Sequence, residues 1–569
     1  MTAADRAEDF LSNERAFRLG ALPTEQSHPH TAHLSRVIAG DLAGSLRQLL
    51  SVDRDILPVV ERIFAGEEYA ALVDTLETAM RGGHHVYFTG CGATGRLSIL
   101  LEAAWRSYWR DRVGGAADVT ARLPGIAQRV HSVMAGGDFA LIRSVEGFED
   151  FAAFGRYQLA EAGVAAGDVV VAITEGGETP FVIGTAWQGV EAGAAVFFVF
   201  NNPAAVLCEE VQRSREVIEE PRITKLDLSS GPMAIAGSTR MQATTSELLV
   251  VGAALETALE RLTAAPGGGG ELALEVDRTA QFRALLDRLA ADAHVAAMGE
   301  WITLEADTYR AGGRITYVVD DLLLDVMTDT TERAPTFSLP PFRPCDSTTA
   351  APSWAFLKDP GRTTPETWTH MLGRAPLGLP WDAALYRDLG APPILAEAPP
   401  ALDPDAILRF QIGNEPDPSR HEGISSVLIR LHSQGCHPPA MLSDEAAYSR
   451  RVDFALPFDR PVEASPLRLW ERLAVKLIMN TVSTATMAKL GYVAGNWMVH
   501  VSASNKKLID RSIRLIASQT GMSYDHACRE LFHTLEQQAI TPGHHPSPAA
   551  ATIERLLSPT PVATHQSPS

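Results

Sequence analysis

Three stretches in the first half of the chain combine glycines with hydroxyls at points where an apolar run passes into a helical one. They are Gly90-Cys91-Gly92-Ala93-Thr94-Gly95-Arg96-Leu97, Ile173-Thr174-Glu175-Gly176-Gly177-Glu178-Thr179-Pro180 and Gly237-Ser238-Thr239-Arg240-Met241. Glycines such as Gly92 and Gly176 let the backbone turn sharply and come close to a ligand. The free N–H groups at a helix start then point at the turn, where the helix dipole favours an anion. The hydroxyls of Thr94, Thr174, Thr179, Ser238 and Thr239 add donors. The chemistry this suits is capture of a phosphate. The first turn lacks the Lys-Ser/Thr pair of a nucleoside-triphosphate loop, and no acidic residue follows where a dinucleotide fold would need one. Each turn alone also reads as an ordinary helix cap or strand–helix connection; three together point to an anion. Glu175 and Glu178 work against it, so at least one of them must turn away. The acidic run Ser144–Asp150 supplies Glu146 and Glu149, acceptors for sugar hydroxyls and, if shielded, general bases; its plainer reading is a solvated face.

These residues need a scaffold. Apolar runs at His85–Thr89, Asp168–Ile173 and Ala195–Phe200, separated by helical spacing, predict parallel strands buried on both faces. That is a doubly wound α/β domain, whose ligands sit at the carboxyl ends of the strands. A second series follows the break at Ala264–Gly270, with strands predicted at Arg314–Val319, Leu408–Ile412 and Ser425–Leu431. Long helical stretches follow at Leu467–Leu490 and Lys507–Phe532. Residues 1–20 read as polar and frayed, Pro335–Pro404 as irregular. The tail after Ile540 reads as disordered apart from a short helix near Ile553. Gly82-Gly83 and Gly312-Gly313 each precede a strand, which suggests a duplication. The expected division is an arm at 1–35, a first domain at 36–264, a linker at 265–275, a divergent second domain at 276–512, a helical segment at 513–540 and the tail at 541–569.

A net charge of -20 over 569 residues argues against broad nucleic-acid or anionic-membrane binding, while one phosphate needs only local backbone amides. The five cysteines form no C-x-x-C pair, so neither a zinc site nor a disulfide framework is expected. No metal and no cofactor are expected. Without a signal-peptide pattern or an apolar run of membrane-spanning length, the cytosol is the expected compartment.

The motifs carry a resemblance. Thr24-Glu25-Gln26, GCGATGRL at 90–97, SVEGFED at 144–150, ITEGGETPFVIG at 173–184 and GSTRM at 237–241 are similar to one family. So are NTVSTATMAKLGYVAGNWMV at 480–499 and SNKKLIDR at 504–511. It is the family joining bacterial N-acetylmuramic acid 6-phosphate etherase and the animal glucokinase regulatory protein. The interruption of the pattern after GSTRM and its return near Leu469 resemble the tandem regulatory protein, whose two sugar-isomerase (SIS) domains imitate a dimer. The resemblance implies two SIS-type doubly wound α/β domains in tandem with a helical C-terminal segment.

By that resemblance, Thr94, Thr174, Gly176, Ser238 and Thr239 would meet the phosphate, with Gly92 and Thr179 also in the substrate site. Glu146 and Glu149 would meet sugar hydroxyls, and Lys507 would reach the phosphosugar from the C-terminal part. Departures are informative. Glu178 stands where the regulatory protein would carry Ser, and Gln242 where etherases carry Lys. The etherase's catalytic Glu block, D-x-x-E-C-P-P-T-F, is matched after the first glycine loop by a sequence with Ala104 in place of the Glu. Glu102, two residues away, would face about 200° around the helix. The second half keeps the block as Asp329-Thr330-Thr331-Glu332-Arg333-Ala334-Pro335-Thr336-Phe337, but its loop is Asp320-Asp321-Leu322-Leu323, which offers no anion cradle. The halves have lost complementary parts.

The function expected first is sugar-phosphate binding, of fructose 6-phosphate or N-acetylmuramic acid 6-phosphate type. In a regulatory role, the ligand would set the pose of the domains and the affinity for a protein partner such as a sugar kinase. The alternative is an etherase-type lyase using Glu146 and Glu332, and a sugar-phosphate isomerase comes third. One composite site per chain is expected, closed by Lys507.

Overall fold

The computed structural model describes residues 2–111, 117–145, 147–264, 277–434, 436–459, 465–501, 503, 505–540 and 547–557. The expected linker at Gly267–Gly270, most of the tail and Glu146 lie outside them.

The first sheet runs β1 (Val86–Gly90), β2 (Val130–Met134), β3 (Val169–Thr174), β4 (Ala195–Phe200) and β5 (Ile223–Asp227), ordered β2-β1-β3-β4-β5 and parallel throughout. Every residue of β1 and β3 is buried. This is why both read as unbroken apolar runs. The second sheet comprises β6 (Arg314–Val318), β7 (Ala355–Lys358), β8 (Ser426–Gln434) and β9 (Arg450–Asp459) in the parallel order β7-β6-β8-β9. Its order matches the first four strands of the first sheet. In each sheet the strand order reverses between the first strand and the third, at β1/β3 and β6/β8, where ligands of open α/β sheets bind.

Seven helices matter for the site: α1 (Ala93–Asp111), α2 (Pro180–Ala192), α3 (Gln242–Thr263), α4 (Asp292–Arg310), α5 (Leu323–Phe337), α6 (Leu469–Lys489) and α7 (Lys506–Thr520). α6 packs against α3, α4 and α5, and α5 packs against α1. The two halves therefore share one apolar core that includes Leu101, Trp105, Val250, Leu255, Met327, Leu473 and Ile478.

Several expectations need correction. The N-terminal residues form a capped helix, Ala3–Asn13, with Thr2 and Asp5 in a capping box. Phe10 and Leu11 bury against Ile516, Leu531 and Phe532 of the C-terminal helices. The apolar residues at i, i+1 of that short helix were too few to stand out among the charges. Leu408–Ile412 is no strand; a short helix, Pro404–Leu408, ends there. Pro335–Pro404 contains β7 and then crosses to the first sheet, where Trp381 and Tyr386 pack on Phe148 and Phe154. The helical stretch 507–532 is two helices broken at Gly521, whose φ of 75° is left-handed, and α7 spans the expected 512/513 boundary. Pro548–Leu557 is helical, as the sequence suggests near Ile553.

Candidate functional site

The C-terminal edge of the first sheet holds a cavity of about 200 Å³ lined by Gly92, Glu149, Glu175, Thr179, Ser238, Thr239, Arg240, Glu332, Asn505, Lys507 and Arg511, among others. Three helix starts converge there: α1 behind Gly92, α2 behind Thr179 and α3 behind Gly237–Met241. Two glycines make this possible. A Cβ on Gly90 would lie 2.4 Å from the Thr94 carbonyl carbon, inside the turn. Gly237, at φ 73°, would put a Cβ 2.5 Å from Arg511 Nε.

The expected phosphate donors divide into two groups. Gly92, Thr179, Ser238 and Thr239 line the cavity. Thr94 is instead the brace of its own turn: its hydroxyl accepts from Cys91 N at 3.0 Å and donates to Cys91 O at 2.9 Å. Thr174, fully buried, donates to Thr179 Oγ1 at 3.2 Å, one step behind the cavity wall. Gly176 offers its carbonyl to Asn202 Nδ2 at 2.9 Å. Asn202 also bonds Thr24, so the start of the chain is tied to the second glycine turn.

Two expected residues arrive from the far half. Lys507, at the start of α7, is held between Glu178 Oε1 at 2.8 Å and Glu149 Oε1 at 3.7 Å. Burial would lower its pKa, but Glu178, Glu149 and Glu25 outweigh it and raise the ammonium well above the ordinary lysine range. Glu178 thus turns to Lys507 and Arg213. Burial raises the Glu178 pKa, and these two cations more than offset it, leaving the carboxyl below its usual value. Glu332, on α5, ion-pairs with Arg96 of the first glycine turn, while Arg96 Nε reaches Thr331 Oγ1 at 3.2 Å. The block missing its glycine loop in the second half therefore joins the glycine loop that lacks its block in the first.

The positions that raised doubt resolve accordingly. Ala104 does not face this cavity; it lines a different one, at the edge of the second sheet. Glu102 is a structural anchor, bonded by Arg374 at 2.9 and 3.0 Å, Arg106 at 2.8 Å and Ser132 at 2.6 Å. Gln242 bonds Asp53 and the Ala234 amide.

Several charged residues of the site were not among the expected ligand contacts. Glu175 lines the cavity at 9% exposure, and burial, with Glu332 and Glu149 nearby, pushes its carboxyl up to about 7 against the pull of Lys507. Arg511 is clamped by Glu25 at 2.6 and 3.1 Å, and Arg514 joins the same carboxylate at 2.6 Å. Burial opposes ionisation of Glu25, but the two arginines hold it well below the ordinary carboxylate range. Arg240 bonds Asp329 at 2.7 Å and reaches Ser483 and Thr484 of α6. Asp329 also takes Arg333 and Asn480. The NTVSTAT run thus fastens the seam between the halves behind the site. All of these charges but Arg514 sit inside the family motifs, but motif position does not tell a ligand contact from a brace.

The N-terminal SIS domain of glucokinase regulatory protein matches residues 68–188. An N-acetylmuramic acid 6-phosphate etherase of Gloeobacter violaceus is 30% identical over 250 residues, covering 44% of this chain and 72% of that protein. That of Deinococcus radiodurans is 30% identical over 241 residues, covering 42% and 68%. A tagatose-6-phosphate ketose/aldose isomerase structure from Escherichia coli aligns at 12% identity and TM-score 0.38 over 79% of this chain and 94% of that one.

Proposed function

Because this chain belongs to the N-acetylmuramic acid 6-phosphate etherase family, we propose that the cavity at the edge of the first sheet binds a phosphorylated sugar, one per chain. The carrying observation is that a single cavity is lined by Gly92, Thr179, Ser238 and Thr239 from the first half and by Glu332 and Lys507 from beyond the linker. The phosphate would take the three helix starts and the Ser238 and Thr239 hydroxyls. Lys507 and Arg511 would balance its charge. Glu149 would accept from sugar hydroxyls. The site needs both halves, so its occupation would fix their relative pose. This is what supports a regulatory role toward a protein partner such as a sugar kinase.

A specific observation favours the lyase reading beside it. Elimination of an ether next to a carbonyl-activated carbon needs one carboxylate to take a proton and another group to protonate the leaving oxygen. Glu332, paired with Arg96, stands at the cavity wall, where it could take the proton. Glu175, with its pKa near 7, is populated as an acid at neutral pH. The loss at Ala104 does not bear on this, because Ala104 belongs to the other cavity.

Calorimetry on the full chain with N-acetylmuramic acid 6-phosphate, fructose 6-phosphate and their unphosphorylated sugars tests the reading. Binding of about one phosphorylated ligand per chain is expected. Equal affinity for the unphosphorylated forms would sink it. Release of the lactyl group, followed on the same mixtures, separates lyase from binding protein.

A further inference from the structure

The C-terminal edge of the second sheet holds a larger cavity, about 880 Å³, within the size range of small-molecule sites. It lies where the strand order reverses, behind the β6 end and the start of α5, the place equivalent to the phosphosugar cavity. Its chemistry is inverted. Asp320 and Asp321 stand at the loop in place of glycines. Leu322 reaches the helix through a left-handed φ of 58°, uncommon for a branched residue.

The arginines facing this cavity are already engaged. Arg468 holds Asp321 at 2.8 and 2.9 Å, Arg472 holds Asp325 at 2.7 Å and Arg110 holds Asp111 at 2.8 Å. A phosphate entering here would have to displace a carboxylate from each. Acceptors, by contrast, are left over. Asp325 is 4% exposed, lines the cavity, and its Oδ1 has no hydrogen-bond partner. Asp320 adds a second carboxylate at the mouth, and burial raises the pKa of both. The floor is apolar and partly aromatic, with Ala104, Tyr108 and Trp470.

We propose that this cavity is a second ligand site, for an unphosphorylated, amine-bearing sugar or a polar amine of similar size. An ammonium would sit between Asp320 and the unpaired Asp325 Oδ1, and the carbon frame would lie against Tyr108 and Trp470. Charge separates it from the phosphosugar site, so the two ligand classes do not compete.

The test is calorimetry of the full chain with glucosamine at pH 6.5, against glucose as the neutral match. Glucosamine is expected to bind about tenfold or more tightly than glucose, since a charge-assisted hydrogen bond contributes on that scale. Asp320→Asn, at an exposed position, should lose about tenfold in glucosamine affinity. Its melting and its fructose 6-phosphate binding should not change. Lys507→Ala should leave glucosamine binding intact. Equal binding of glucose and glucosamine would overturn the proposal. So would glucosamine binding unchanged in Asp320→Asn and strengthened in Lys507→Ala, where Glu178 and Glu149 lose their cation, which would put the amine in the first cavity.

Discussion

The carboxyl ends of β1 and β3 and those of β6 and β8 are the same place in two similar sheets, yet they carry opposite charge logic. At the first edge, glycine turns open helix starts to the cavity, and Lys507, Arg511 and Arg240 stand around it. At the second, aspartates occupy the turn and the arginines are consumed by carboxylates. Across the shared α1–α5 contact the second half delivers Glu332 to the first edge, whereas Ala104 leaves the second edge without its counterpart. Equivalent places in the two sheets thus hold one cavity lined from both halves and one cavity remodelled in charge. Loss of a motif residue in one half says nothing about the site built on that half's own glycine loop.

This contrast can be broken experimentally, most sharply at Glu332. Glu332→Gln keeps a hydrogen-bond acceptor for Arg96 but removes the base. Lactyl release should fall about 10²–10⁴-fold while phosphosugar binding survives; unchanged turnover in a steady-state assay would assign Glu332 a purely structural role. Next is Lys507→Ala, expected to weaken phosphosugar binding by about 2–3 kcal/mol, as for a charge-assisted contact removed from a shielded site. Calorimetry reads this directly, and a wild-type affinity would detach the C-terminal helices from the first edge.

Glu175 makes the first edge pH-dependent. Its folded pKa of about 7 lies above that of an exposed glutamate, so the folded state holds its proton more tightly than the unfolded state. The stability this gives is full below the unfolded value near 4.3, and is lost as pH rises through about 7. Wild type should therefore lose melting temperature relative to Glu175→Gln between about pH 4.5 and 7.5. Phosphosugar affinity should also weaken as Glu175 ionises beside the phosphate. A constant difference between the two proteins across that range would refute the assignment.

A smaller effect separates cavity wall from brace. Ser238→Ala should cost about 1–3 kcal/mol of phosphosugar affinity with little change in melting. Thr94→Val should show the reverse, losing about 1–2 kcal/mol of stability because its hydroxyl serves the Cys91 amide and carbonyl. Smallest of all, Ala104→Glu should leave phosphosugar affinity within about 0.5 kcal/mol of wild type, as a substitution away from the site. A larger change would show that the two edges communicate.

Much of this was legible in residue order. The strands of the first sheet buried on both faces announce themselves as continuous apolar runs, and the glycine turns announce the anion site. Among the strands that went unseen, β2 carries His131 and Ser132 half-exposed, β5 carries Thr224 and Lys225 half-exposed, and β7, though buried throughout, is only four residues long. β9 opens on two exposed arginines and was hidden the same way. A period-based reading has little to hold in such segments.

The sequence by itself determined the fold class, the glycine and hydroxyl turns of the first half, the acidic Asp320–Leu323 turn of the second and the presence of Glu332 in a recognisable block. These depend on local chemistry: glycine's backbone freedom, buried apolar runs and the sign of a charge. Only the tertiary structure decided which partners meet. That Glu332 faces Arg96 rather than its own loop, that Ala104 lines the opposite cavity, that Thr94 braces while Ser238 lines, and that Glu178 is absorbed by Lys507 all follow from how α1, α5 and α6 pack. Those contacts join residues some 235 to 330 positions apart. Their pairing is set by burial and by competition among many charges at once, which no local spacing encodes.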